Sequence, residues 1–291
     1  MPTLRRALVA AGAVTAVGAA VFAPAAFAGD GKPDHPTAAG LHGVGLVDGV
    51  ELVGFTTGDT SSAYRVGTVE LDGDEHLVGI DYRVQDGELY GVGDAGGLYV
   101  VDDATAAAER IGRLTVDLVG DSFGVDFNPA ANALRVVSDT GQNLRQPFAA
   151  MPLAATATDT ALTNPAVAPA TGTVPARGVA GAAYTNNDLA AGTATTLFDL
   201  DSALDRVAVQ SPANAGTLAP TGGLPADVGS DAGFDIHTTL EEGVAVDNDA
   251  FAAVEVDGVQ RLWAVDVLTG GATDLGAFPV AVTDLALGLD L

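Results

Sequence analysis

The chain has no cysteine, one tryptophan, two methionines and only twelve lysines and arginines against thirty-eight acids. Each shortage excludes something. Without cysteine there are no disulfides and no cysteine-type structural zinc site, so stability has to come from a buried core. With a formal charge of −26 the surface repels phosphate backbones and anionic lipid, which excludes nucleic acid as a partner and argues against binding to a membrane surface. Helix-length amphipathic windows are missing, as are a Gly-x-Ser-x-Gly nucleophile elbow, a His-Glu-x-x-His zinc helix and a phosphate-binding glycine loop ahead of a helix. The four histidines, His35, His42, His76 and His237, are too scattered to suggest a metal centre, and no role is assigned to them.

What is present begins with an export signal. Arg5 and Arg6 precede an apolar run from about Ala7 to Phe22 and a small-residue end at Ala26-Phe27-Ala28, the layout of a secretory signal peptide cleaved after Ala28. The apolar run is short of the roughly 20 residues that span a bilayer. The paired arginines leave the general and twin-arginine routes open, since Leu4 stands where a Ser or Thr is usual. Cleavage takes away two positive charges and no negative one, so −26 becomes −28. Residues 29–40 read as a flexible leader, and the mature protein is expected to be a secreted monomer with no membrane insertion.

From Leu41 the chain is a succession of short Val/Leu/Gly/Thr runs divided by Asp-Gly, Gly-Gly and Asn-Pro, which read as strands and tight turns. One phrase recurs. Leu77-Val-Gly-Ile-Asp81-Tyr82 is echoed by Ser122-Phe-Gly-Val-Asp126-Phe127, Val179-Ala-Gly-Ala-Ala183-Tyr184 and Ala232-Gly-Phe-Asp235-Ile236, with a degenerate copy at Val282-Thr-Asp-Leu-Ala286-Leu287. A repeat of about 50 residues, each with four strand-like runs, describes propeller blades. The predicted fold is therefore an all-β, five-bladed propeller of four-stranded antiparallel blades. Its blades fall at about 41–71 plus 281–289, 77–114, 121–162, 177–222 and 231–278, the first closed by strands from both ends of the chain. A β-sandwich is the alternative architecture.

The segment GVDFNPAANALRVVSDTGQNLR, preceded by LVGIDYRVQDGELYGVG and followed by GAAYTNND, resembles a bacterial family known as domain of unknown function 4394. The resemblance covers about Leu41 to Leu291. It implies an exported propeller-like domain and brings no catalytic set with it.

Two groups of residues could carry chemistry. Asp81, Asp126 and Asp235 occupy equivalent positions on innermost strands, where carboxylates converge on a propeller axis. There they would chelate a hard cation such as calcium or flank a glycosidic bond, or else accept hydrogen bonds from backbone N–H groups. The second group is the polar loop of blade three, with Arg135, Asp139, Gln142, Asn143 and Arg145. Its guanidinium and amide groups suit a sugar or an acidic small molecule, and a hydrogen-bonded hairpin turn is the plainer reading. Between Pro147 and Pro175 the chain should hold the outer strand of blade three, near Ala154–Leu162, and a long connection. Trp263 is read as blade packing.

The functional expectation is a secreted, non-enzymatic domain that binds a small molecule, glycan or protein through loops on one face. Two alternatives remain open: a glycan hydrolase or lyase working through the channel carboxylates, and a structural surface or matrix module.

Overall fold

The computed structural model describes residues 40–290, so the expected signal peptide and nearly all of the leader lie outside the described residues. Residues 42–287 form a five-bladed β-propeller. Blade one contains β1 (His42–Val47), β2 (Glu51–Thr56) and β3 (Asp59–Thr68). Blade two contains β4 (Leu77–Tyr82), β5 (Leu89–Gly93), β6 (Gly97–Val101) and β7 (Ala108–Arg113). Blade three contains β8 (Phe123–Asn128), β9 (Ala133–Ser138), β10 (Asn143–Pro147) and β11 (Ala157–Thr158), an outer strand of only two residues.

A small hairpin follows, β12 (Thr163–Pro165) with β13 (Thr173–Pro175), which the composition of this stretch did not suggest. It fills the long connection, and Thr163 bridges to Thr217 at the outer edge of the next blade. Blade four contains β14 (Val179–Tyr184), β15 (Leu197–Asp201), β16 (Arg206–Gln210) and β17 (Leu218–Gly223). Blade five contains β18 (Gly233–Glu241), β19 (Val244–Val256), β20 (Val259–Val265) and β21 (Ala272–Ala277).

The last strand, β22 (Val282–Leu287), returns to blade one and pairs antiparallel with β1, Gly43 opposite Leu287 and Val47 opposite Val282. This closes the ring and leaves no inner edge of blade one unpaired. The sandwich alternative is thereby excluded, since each four-stranded sheet is a blade of its own.

The turns follow from local chemistry. Asp48-Gly49 and Asp257-Gly258 both sit at positive φ, the left-handed pair that a two-residue hairpin needs and that Asp-Gly supplies at little cost. Glu242-Gly243 does the same, and it joins the long strands β18 and β19, the second of which begins at Val244.

The core lies between blades. Tyr90, Phe127 and Phe148 meet edge to face between blades two and three, with centroids 4.9–5.4 Å apart. Trp263 is buried with Phe198, Leu200 and Phe234 between blades four and five, so it is a packing residue.

The glycine of the recurring phrase is where neighbouring inner strands come closest. A Cβ on Gly124 would stand 2.5 Å from the backbone nitrogen of Ala182, and one on Gly233 would stand 2.5 Å from the Cα of Asp284. The repeat is thus a packing requirement at the axis.

Candidate functional site

The five innermost strands, β22, β4, β8, β14 and β18, run in the same direction around the axis, and four carry a buried aspartate. Asp81, Asp126 and Asp235 are 7%, 3% and 4% exposed. Each hands a carboxylate oxygen to a backbone N–H of the next inner strand. Asp81 accepts from Phe127 at 2.7 Å, Asp126 from Tyr184 at 3.0 Å, and Asp235 from Leu287 at 2.6 Å.

The degenerate closing strand supplies a fourth. Asp284 stands where the other copies have glycine and accepts from Ile80 at 2.8 Å. Blades one to two, two to three, three to four and five to one are therefore stitched by carboxylate rungs. The rung from four to five is missing, because Ala183 occupies the aspartate position of blade four.

The structure brings the three predicted residues together: one oxygen from each of Asp81, Asp126 and Asp235 lies within 4.8 Å of the others. Burial raises Asp81 and Asp126 well above the usual carboxylate range, reinforced by the neighbouring carboxylates. Asp284 is raised in the same direction, and Asp235 reaches about 6, with burial the leading cause in each case. Backbone N–H groups of Leu287 and Ile236, and then the neighbouring His237, hold Asp235 down against that rise. Such a donor set, three hard oxygens crowded without an arginine or lysine, fits a hard divalent cation; it fits neither zinc nor copper, which prefer nitrogen and sulfur.

These carboxyls do not face open space. The cavity on the axis lies at the end where the inner strands begin. It measures about 240 Å³ and is bordered by Asp48, His76, Asp121, Ser122, Asp231 and Thr283 among others. Its walls include Val78, Phe123, Ala180 and Ala232, each three residues ahead of the aspartate position on its strand, or about 10 Å at strand rise. Glycoside cleavage needs two carboxyls facing a cleft that admits sugar, and the buried trio does not provide that.

The blade-three loop is spent on the protein itself. Arg135 is 1% exposed; it donates to the Tyr184 hydroxyl, to Asn143 and Asp159, and to Asn214. Asn143, also buried, donates to the carbonyls of Thr160 and Ala213. Arg145 is half-buried and clamps Asp159 through Nε and Nη2. Asp139 accepts from the N–H groups of Asp121 and Ser122, and Gln142 accepts from Val119 N–H while donating to the Asp117 carbonyl.

Asp139 and Gln142 thus fasten residues 117–122, the segment that carries Asp121 and Ser122 to the cavity rim. In blade two Asp94 does the same for Glu75 and His76. The polar side chains predicted as a ligand surface position the cavity and tie blade three to blade four. The rim residues Asp48, His76, Asp121 and Asp231 were missed. Their signal was available: each sits in a turn or just ahead of a recurring phrase, on the same side of the ring.

The family model for a domain of unknown function, DUF4394, matches residues 51–286. The chain belongs to this family. No protein of curated function matches the DUF4394 chain. Among solved structures it is similar to an auxiliary nutrient-binding protein from Bacteroides ovatus, at 13% identity and a TM-score of 0.39, covering 62% of this chain and 46% of that one. It is similar as well to a protein of unknown function from Bacteroides thetaiotaomicron, at 13% identity and a TM-score of 0.45, over 87% and 68%. A third is a protein from Lactobacillus plantarum, at 17% identity and a TM-score of 0.38, over 82% and 67%. The DUF4394 chain spans about half the length of the first of these.

Proposed function

We propose that this DUF4394 domain is an exported, non-catalytic binding module that takes a hydroxyl-rich small molecule or glycan end into the axial cavity. Calcium among Asp81, Asp126 and Asp235 would stiffen the ring beneath it. The observation that carries the reading is the cavity itself: elements from all five blades converge on it, and its rim presents three carboxylates, three hydroxyl side chains from Ser122, Ser230 and Thr283, and His76. Carboxylates and hydroxyls accept and share hydrogen bonds from sugar hydroxyls, while the acidic rim disfavours anionic ligands.

Calcium enters on the chemistry of the donor set. Oxygens within 4.8 Å of one another are close to what a shared ion at 2.3–2.6 Å requires, and the ion's remaining positions would fall to Asp284, backbone carbonyls or water.

Thermal unfolding of the chain without its first 28 residues tests both parts. In EDTA, adding excess calcium should raise Tm by several degrees, and Asp126→Asn should abolish the rise. At fixed calcium, one or more members of a neutral glycan panel should raise Tm further, and Asp121→Ala with Asp231→Ala should remove that increment while leaving the calcium response. No response to any glycan, amine or polyol would sink the cavity reading, and an unchanged Tm with calcium would sink the ion.

A further inference from the structure

Between blades three and four lies a second buried polar layer, and it does not close. Asp199, in the middle of β15, is fully buried and neither of its oxygens has a hydrogen-bond partner. Gln210 on the adjacent β16 is 2% exposed, and its Oε1 is likewise unpaired while its amide donates to the Ala213 carbonyl. In the β15–β16 register Asp199 faces Ala208 and Leu197 faces Gln210, so the two side chains are diagonal neighbours on one face of the blade. That face looks toward blade three, because Tyr184, which shares it through the β14 pairing, bonds Arg135.

Three acceptors therefore share one face of an interface whose donors point elsewhere. The Arg135 Nε, Nη1 and Nη2 groups and the Asn143 amide are each engaged by other partners. Arg206, on the strand next to Asp199, is committed to Asp201 and Asn164. Buried carboxyls and amides without partners are rare because desolvation is not offset, and the usual remedy is an enclosed water. The charges say which ligand fits. Arg135 and Arg145 share the single carboxylate of Asp159, and Arg206 pairs with Asp201, so an added cation would leave the layer positive. An anion would meet only acceptors. The occupant has to be small and neutral, with at least two hydrogens to donate.

We propose that Asp199 and Gln210 form a binding site for enclosed water between blades three and four, with the water donating to an Asp199 oxygen and to Gln210 Oε1. Burial raises the Asp199 carboxyl well above the usual range, and the charge of Arg135 opposes that rise.

The test is a crystal structure of the whole mature chain at high resolution, grown in choline chloride without alkali or alkaline-earth ions, joined to oxygen-17 relaxation dispersion in solution. Density within about 3.2 Å of both Asp199 and Gln210 is expected. The relaxation amplitude should fall by at least one long-lived water in Asp199→Leu. If that variant fails to fold, Gln210→Met replaces it with the same expectation. Three results would overturn the proposal: direct contact of the two side chains with no density between them, an amplitude equal in wild type and a folded variant, or density that appears only when sodium or potassium is supplied.

Discussion

At the scale of single residues, the axial aspartates meet two demands that pull against each other. As hydrogen-bond acceptors for the next inner strand they want to be ionised, since a charged acceptor makes the stronger bond. As buried neighbours within 4.8 Å they want to be neutral. Their raised pKa values mark the balance, and the sign gives a prediction. A carboxyl whose folded pKa lies above its unfolded value near 3.8 stabilises the fold fully below about pH 4, and that stability is lost as pH rises through the folded value. Asp235 reaches about 6 and Asp81, Asp126 and Asp284 lie well above the usual range. In EDTA, Tm should therefore fall between pH 5 and pH 8, by at least about 4 °C. Saturating calcium should flatten that slope, because a cation replaces the protons. A Tm that climbs steadily over the same range in EDTA would show that the rungs are not strained at neutral pH.

The blade-three loop belongs to the same scale. Asp139 and Gln142 looked like recognition groups because their polarity exceeds what a turn needs, and a single sequence does not show that two backbone N–H groups 17 and 18 residues upstream would otherwise go unpaired. Asp139→Ala should cost about 0.5–1.5 kcal/mol, the usual net worth of a hydrogen bond whose donors can turn to water. It should also weaken ligand uptake at the cavity, since Asp121 and Ser122 lose their anchor. Chemical denaturation with the glycan titration checks both effects.

At the scale of elements, the inner strand was legible because its constraint repeats. A glycine where strands converge and an aspartate two residues later leave the same trace in blades two, three and five. The trace fades where another solution serves. Asp284 occupies the glycine position and sends its carboxylate to Ile80, so the eye looking for aspartate at 286 passes over it. Asp199 was invisible for the opposite reason: in LFDLD it alternates with leucine as any solvent-facing strand residue would, and only the apposition of blade three buries it. The β12–β13 hairpin could not be read from a stretch whose Ala, Thr and Pro content favours neither strand nor helix. The packing account of the glycines is open to direct test. Gly124→Ala puts a methyl group against the backbone of Gly181 and Ala182, neighbours that cannot rotate away. It should destabilise by about 1–3 kcal/mol as over-packing does. Gly192→Ala, in open space, should be nearly neutral in the same denaturation series.

At the scale of the whole molecule, the ring holds only if its last strand reaches its first. Val282, Leu285 and Leu287 of β22 are 0–2% exposed, and burial of side chains of this size is worth roughly 1.5–3 kcal/mol each. Together they approach the 5–15 kcal/mol by which a typical domain is stable. The strand adds two carboxylate rungs, Asp284 to Ile80 and Leu287 to Asp235. A chain ending at Ala281 should therefore lose its cooperative unfolding transition and self-associate through the uncovered edge of β1. Position matters less than presence. Because β22 is antiparallel to β1 and Gly288 N–H already donates to the His42 carbonyl, the strand can be moved ahead of residue 40 through a short turn. That permutant, opened between Phe278 and Val282, should refold with a Tm within a few degrees of the parent and keep its response to calcium. If it stays unfolded while circular dichroism shows the parent folded under the same conditions, the covalent link from β21 to β22 contributes more than closure does.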